Sequence, residues 1–418
     1  MLKKRVILLL HKKDVIFIVV IVLICVAGVI GINQVVSMTA KVGDNDEYVI
    51  LATNDLGMHC IQKDYKDFLI LPPANNIRVQ VFKRSDTSES ELITEGITVR
   101  YEMVDNTTSA NKINFWEYAK SYGFNVEENI GITGNGLIGD MKLSTDQKYY
   151  EATAVPVVPY TDSNPDTLQP YQQVKITVVD DMTNKVLAVT DSVVVPVSDE
   201  LSCGVCHGQE DTNENILKAH DSLSGTTLVA DLKNNIRHKC ADCHKDNALK
   251  LDGKDGVPAL SEALHEFHAD KMNLSDITPS CYTCHPGPVT QCNRGEMAKA
   301  GITCDNDKCH GSMKNVAITQ KEGRQAWLEE PDCGNCHGAT YASNQGVLYK
   351  DSYLKNAPGE EMNDLIRCQS CHNSTHAEWV STLEKDNELP ESILGYTSFM
   401  NKCGVCHKGK GTVHQNGE

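Results

Sequence analysis

Two cysteines separated by two residues, with a histidine directly after the second, recur along the second half of this sequence. The complete triplets are Cys203/Cys206/His207, Cys240/Cys243/His244, Cys281/Cys284/His285, Cys333/Cys336/His337, Cys368/Cys371/His372 and Cys403/Cys406/His407. A seventh, Cys304-Asp-Asn-Asp-Lys-Cys309-His310, has a longer loop between its thiols. Cysteines at the short spacing form thioethers with the two vinyl groups of a haem, and the adjacent imidazole reaches the iron from the same turn. The longer loop still lets both thiols meet one porphyrin, so the implied cofactors are seven covalently bound haem c groups. Disulfide frameworks, zinc knuckles and thioredoxin-like redox pairs also use closely spaced cysteines. None of these requires a histidine after every second cysteine.

The second axial ligand separates a carrier from a catalyst, because an iron with an open face binds substrate whereas a doubly ligated one passes electrons. Seven of the 15 histidines are proximal and His11 lies in the basic N-terminal flank, leaving His59, His220, His238, His265, His268, His376 and His414 as distal candidates. Met58, Met272, Met297 and Met313 are alternatives, since methionine also ligates haem iron. His265 and His268 in Leu264-His-Glu-Phe-His-Ala269 fall on one face of an expected helix and suit two neighbouring haems. His238 is too close to Cys240 to reach the far side of that haem, and His376 follows His372 by four residues. Both are expected to serve another haem. His414 lies near the chain end. Cys60 and Cys292 are left over among the cysteines after residue 40. They are open to a disulfide with each other, to buried free thiols, or to competition of Cys292 with Cys304 for the fourth haem.

The elements that must hold these residues divide into two textures. Residues 77–82, 97–104 and 174–178 alternate apolar and polar side chains as half-buried strands do, and 47–53, 149–158 and 185–195 are further β-rich runs. An antiparallel sandwich over about 47–197 follows. From Leu201 the sequence is polar, poor in large apolar residues and dense in Cys and His, and porphyrins would supply its core. The expected architecture is multidomain: residues 1–40 a basic flank and membrane anchor or signal peptide, 41–200 an all-β sandwich-like domain, 201–418 a mostly α or irregular seven-haem domain.

Residues 15–32 are uncharged and long enough to cross a bilayer as a helix, behind Lys3, Lys4, Arg5, Lys12 and Lys13. The expectation is a single-pass cytoplasmic-membrane protein with its haem domain on the exported, periplasmic or extracellular side. A cleaved signal peptide competes, although Met38-Thr39-Ala40 matches an A-x-A-like site poorly. The net charge of −17 excludes electrostatic binding of nucleic acid and favours redox partners with basic docking surfaces.

Leu51-Ala-Thr-Asn-Asp-Leu-Gly-Met-His-Cys60, Leu71-Pro-Pro-Ala-Asn75 and Pro196-Val-Ser-Asp-Glu200 resemble the opening domain of multihaem c-type cytochromes from metal-reducing bacteria of the Geobacter and Desulfuromonas type. Cys281-Tyr-Thr-Cys-His-Pro-Gly-Pro288, Cys292-Asn-Arg294 and Cys371-His-Asn-Ser-Thr-His-Ala-Glu378 are similar to that family too. The resemblance implies low-potential, mostly bis-histidine haems packed as a wire for respiratory electron transfer across the cell envelope. The four-residue loop of Cys304/Cys309 departs from the pattern. An electron carrier between a membrane donor and an exported acceptor is therefore expected, rather than an enzyme. A multihaem reductase with one open iron is the alternative, although no C-x-x-C-K is present. A homo-oligomeric extracellular cytochrome filament is the third reading.

Overall fold

The computed structural model describes residues 47–85, 90–271, 280–287, 289–329, 333–337 and 365–407, and residues 41–418 belong to one compact unit. Among the described residues twelve strands run in chain order: β1 Tyr48–Asn54, β2 His59–Cys60, β3 Phe68–Leu69, β4 Ile77–Lys83, β5 Glu91–Leu92, β6 Ile97–Val104, β7 Ile138–Asp140, β8 Lys142–Leu143, β9 Tyr150–Ala152, β10 Tyr171–Asp180, β11 Val186–Ser198 and β12 His238–Lys239. One sheet has the order β1-β4-β9-β8 with β5 on the end of β4, and a second has β2-β11-β10-β6-β7. The long pairs are antiparallel, with Tyr48 opposite Lys83, Gln173 opposite Val104 and Tyr171 opposite Pro196.

Side-chain alternation explains the shared core. Along β6, Ile97, Val99, Tyr101 and Met103 are buried while Arg100, Glu102 and Val104 face water. They meet Val174, Ile176 and Val178 of β10, Val193, Val195 and Val197 of β11, and Val49, Leu51, Val79 and Val81 of the other sheet in a single cluster. Trp379, Leu389, Met400 and Val405 join it from the far end of the chain. Gln80 donates to the Leu365 carbonyl at 2.7 Å and Arg84 to that of Val405 at 2.8 Å, so β4 receives the C-terminal segment directly.

Two short strands carry function-bearing residues onto the sheets. β2 pairs in parallel with the end of β11, placing His59 opposite Val197 and Cys60 opposite Ser198. β12 pairs in parallel with β3 just before the second cysteine motif.

The expected architecture is corrected here. The segment after residue 200 is not a mostly α domain. Its longest helix among the described residues, Thr212–Ser224, has 13 residues. Helices Gly204–His207 and Cys368–His372 are single turns, and the motifs at Cys240–Asp242 and Ser280–Thr283 are 3-10 turns. The reason is local: Gly208 and Asn373 take positive φ values of 88° and 70° directly after the motif histidines, which ends each turn. The expected membrane helix at 15–32 lies outside the described residues, and among those described no helix is long and apolar enough to cross a membrane.

Candidate functional site

The motifs share one backbone device. In four of them the second cysteine N–H donates to the first cysteine's carbonyl at 3.1–3.2 Å, and the histidine N–H donates to the same carbonyl at 2.9–3.0 Å. These are the sites starting at Cys203, Cys240, Cys281 and Cys333. One turn thus brings two thiols and an imidazole to one side. At the longer loop the turn starts later, with Cys309 N–H donating to Asn306 O at 2.8 Å.

Four motif histidines each face one distal candidate. The ring centres of His207 and His268 are 6.4 Å apart, those of His244 and His220 6.3 Å, His285 and His265 6.0 Å, and His310 and His376 6.1 Å. A direct N–H···N hydrogen bond of ~2.9 Å would bring such rings to ~5 Å. Two imidazoles on opposite sides of one metal, with bonds of ~2.0 Å each, put the centres ~6 Å apart. The observed spacing matches the second arrangement.

Orientation agrees. The distal Nδ1–H groups donate to oxygens on their own or neighbouring elements: His265 to Ser261 O at 2.6 Å, His268 to Leu264 O at 2.7 Å, His376 to Leu56 O at 3.0 Å and His220 to Thr226 Oγ1 at 2.9 Å. The Thr226 hydroxyl is free to accept because it donates to Asp221 at 2.6 Å. Proximal His244 donates to Pro258 O at 2.8 Å. Fixing the proton on Nδ1 leaves the Nε2 lone pair for a metal. His376 reaches the fourth site, rather than the sixth beside it in sequence, through a left-handed backbone with φ 75°.

Burial tunes the rings to the neutral form that a metal takes. It lowers the pKa of His285 to about 4, helped by the neighbouring His265, and that of His310 to about 3, helped by His376. His207, His220, His265, His372 and His376 are lowered for the same primary reason. Burial also pushes the thiols of Cys240 and Cys371 up to about 12 and about 11, and raises those of Cys203, Cys284 and Cys309. Thiols held protonated suit neither zinc nor a reactive redox pair.

The two thiols of the first motif differ in exposure, Cys203 being half-buried and Cys206 exposed. Cys206 is exposed and Cys243 half-buried, both as free cysteines, and neither belongs to a described group that could hold a bare metal ion. The cause is the shape of the turns. Cys206 sits in the single turn Gly204–His207 beside exposed Val205, whereas Cys243 ends the 3-10 turn Cys240–Asp242, one place beyond its last residue. Cys206 is therefore open at the surface, whereas Cys243, like Cys240, is half-buried.

The remaining expected ligands fall elsewhere. His59 places Nε2 2.6 Å from Asp55 Oδ1, with both side chains buried, and its ring lies 6.5 Å from that of Trp327. Although burial pushes the other way, His59, Arg78 and the Asn76 hydrogen bond hold Asp55 at about 2. His238 directs Nε2 to Asp231 at 3.0 Å. Neither is paired with a motif histidine in a described ring contact. His414 and Met272 lie outside the described residues. Met58 is buried in the turn before β2, Met297 sits in the helix Glu296–Lys299, and Met313 opens the helix Met313–Lys321. Among the other motif histidines, His372 stacks on Phe399 with centres 5.2 Å apart and has His337 as an electrostatic neighbour. His407 meets Ser90 Oγ through Nδ1 at 3.2 Å. The orienting oxygens and Phe399 were missed in the sequence. Only Ser261, four residues before His265 on one helix, left a readable signal.

Cys60 and Cys292 are free thiols brought together from opposite halves of the chain. Ser198, opposite Cys60, donates to Thr290 at 3.2 Å, and Arg294 donates to Gly57 O at 2.8 Å and Cys292 O at 3.1 Å. Cys292 is also an electrostatic neighbour of Cys304, whose thiol is hydrogen-bonded with Cys281.

The residues fit haem in their ring spacing and in the turn that gathers two thiols with an imidazole. Apolar surface at the motifs adds to the fit: Val205 lies inside the first one, and Leu264 and Phe267 flank His265 and His268, all exposed. Among the described residues no group of three or more His, Cys, Asp or Glu is placed to hold a bare metal ion. A haem iron needs only two protein ligands. Comparison with family models, with curated proteins and with solved structures finds no match to this chain.

Proposed function

We propose that the chain is a multihaem c-type cytochrome, an exported electron carrier with seven covalently attached haems. The observation that carries this reading is the set of four imidazole pairs at 6.0–6.4 Å, each uniting a motif histidine with a distant one. When bound, each haem supplies an iron that cycles between ferrous and ferric states and so passes single electrons. The chain's own residues do the rest. The motif cysteines would attach each haem, the motif histidine would hold its iron, and His268, His220, His265 and His376 would supply a second imidazole at four sites. Carbonyl and hydroxyl oxygens on Nδ1 hold these rings in the ligating tautomer. The chain's negative charge favours basic redox partners.

Intact mass, haem count and the low-temperature EPR spectrum of the purified holoprotein test this reading. Seven haems per chain, with at least four low-spin bis-histidine centres, is the expected result. A mass equal to the bare polypeptide overturns it. A reductase with one open iron is the second reading, and His372, whose ring lies against Phe399 instead of an imidazole, is where it would arise. A high-spin fraction near one haem in seven in the unmodified protein would favour it.

A further inference from the structure

The shared elements between sites also fix their neighbours, and the resulting order is not that of the sequence. Sites are numbered by their order along the chain. The helix Thr212–Ser224 leaves site 1, where Asn215 donates to His207 O at 2.9 Å, and carries His220 to His244 of site 2. The helix Leu260–Ala269 carries His268 to site 1 and His265 to site 3, three residues and ~4.5 Å of rise apart. The helix Met313–Lys321 follows His310 of site 4, and Gln320 Nε2 donates to Ser261 Oγ at 2.8 Å, locking sites 3 and 4 together. His376, four residues beyond His372 of site 6, closes site 4. Met400 N–H, three residues before Cys403, donates to Cys371 O at 3.0 Å, joining sites 6 and 7.

We propose that these contacts set a relay in the spatial order 2, 1, 3, 4, 6, 7, with site 1 in the interior and sites 2 and 7 at its ends. This rests on the haem reading above. Site 5 lies at the junction of sites 4 and 6, since Cys336 neighbours Cys309 and His337 neighbours His372. Each transfer moves one electron between adjacent sites, so one is oxidised by the same amount that the next is reduced, with no proton or atom moved. One-electron donors and acceptors therefore dock at the ends of this order.

Paired ligand deletions test the order. His265→Ala and His268→Ala each open one iron and give one high-spin ferric signal. In the double variant the two opened irons belong to adjacent sites 3 and 1, and their signals broaden beyond the sum of the single spectra, because dipolar coupling falls with the cube of distance. The His220→Ala/His376→Ala double variant opens sites 2 and 4, which have two sites between them, and gives the plain sum. Additive spectra for the first pair, or stronger coupling in the second, overturn the order while leaving the carrier reading intact. If no single deletion yields a high-spin signal in a seven-haem protein, the ligand pairs fail and the order fails with them. A protein that carries no haem fails the carrier reading itself. His265→Met and His268→Met keep six-coordination and packing; each raises the potential of one site, and the double variant departs from additivity in a redox titration if sites 1 and 3 are neighbours. Additive potentials reject that step of the order.

Discussion

Gly57 shows how one residue can govern a distant side chain. Its φ is +74°, and a Cβ there would lie 2.0 Å from Thr375 O, on the segment that presents His376. The preceding Leu56 carbonyl accepts the His376 Nδ1 proton. Gly57→Ala therefore costs about 1–3 kcal/mol in backbone strain alone and also pushes His376 from its site. Thermal unfolding should occur at lower temperature, together with a new high-spin signal in the EPR spectrum; an unaltered spectrum would disconnect the loop from the ligand. Cys60 and Cys292 make a second residue-level case. Burial raises both thiols above their ordinary range, Cys292 to about 11. At pH 8 the native holoprotein should leave both unalkylated by a maleimide, while denaturation should expose both, as read by mass spectrometry.

Among the elements, the helix Glu384–Leu394 is fastened by a buried ion pair. Arg294 donates from Nε to Asp386 Oδ2 at 2.7 Å and from Nη2 to Oδ1 at 3.0 Å, with side-chain exposures of 2% and 1%. Removing one partner leaves a buried charge uncompensated, so Asp386→Ala should cost about 3–5 kcal/mol in denaturant unfolding. Arg294→Lys should rescue little, because an ammonium cannot reproduce the fork. A second fastener ties the loop after β6 to the one before β10. Lys112, buried to 1% exposure, donates to Asp162 at 2.7 Å. Burial works against ionisation of Asp162, but the hydrogen bonds from Lys112 and Thr107 outweigh it and set its pKa at about 2, below the ordinary carboxyl value of 3.8. Because the folded pKa is the lower one, this contribution is complete well above pH 3.8 and is lost as pH falls toward 2. The stability gap between the native protein and Asp162→Asn should therefore narrow on acidification across that window. A gap that stays constant would remove the ion pair from the account.

At the scale of the whole molecule, the two halves draw on different sources of stability. Buried apolar side chains crowd the sheets, whereas after residue 200 the buried set thins to residues such as Leu217, Leu260, Trp379 and Leu389. Chain produced without haem attachment should keep its sheets and be cleaved by limited proteolysis after about residue 200; equal resistance in both halves would refute this. The same contrast explains what the sequence made legible. Alternation in 97–104 and 174–178 marks β6 and β10 plainly, and the Cys-x-x-Cys-His triplets mark the sites, because both signals are local. The pairing of His376 with His310, or of β2 with β11, depends on contacts between distant segments. So does the difference in exposure between Cys203 and Cys206, which the identical spacing of the six complete motifs conceals. The carboxylates beside Nε2 of His59 and His238 are likewise contacts that a count of spare histidines does not reveal.

Ser85, at the end of β4, forms a bridge with His407, and Arg84 holds the Val405 carbonyl from 321 positions earlier in the chain. The Ser90 hydroxyl donates to Cys406 O beside them. Residues far apart along the chain thus complete one another here. The residues just after β4 therefore wait for the segment around residue 405 before these contacts form. Closing so long a loop makes this contact a late event in folding. A chain cut before residue 400 would lose the contacts that Val405 and His407 make with Arg84 and Ser85.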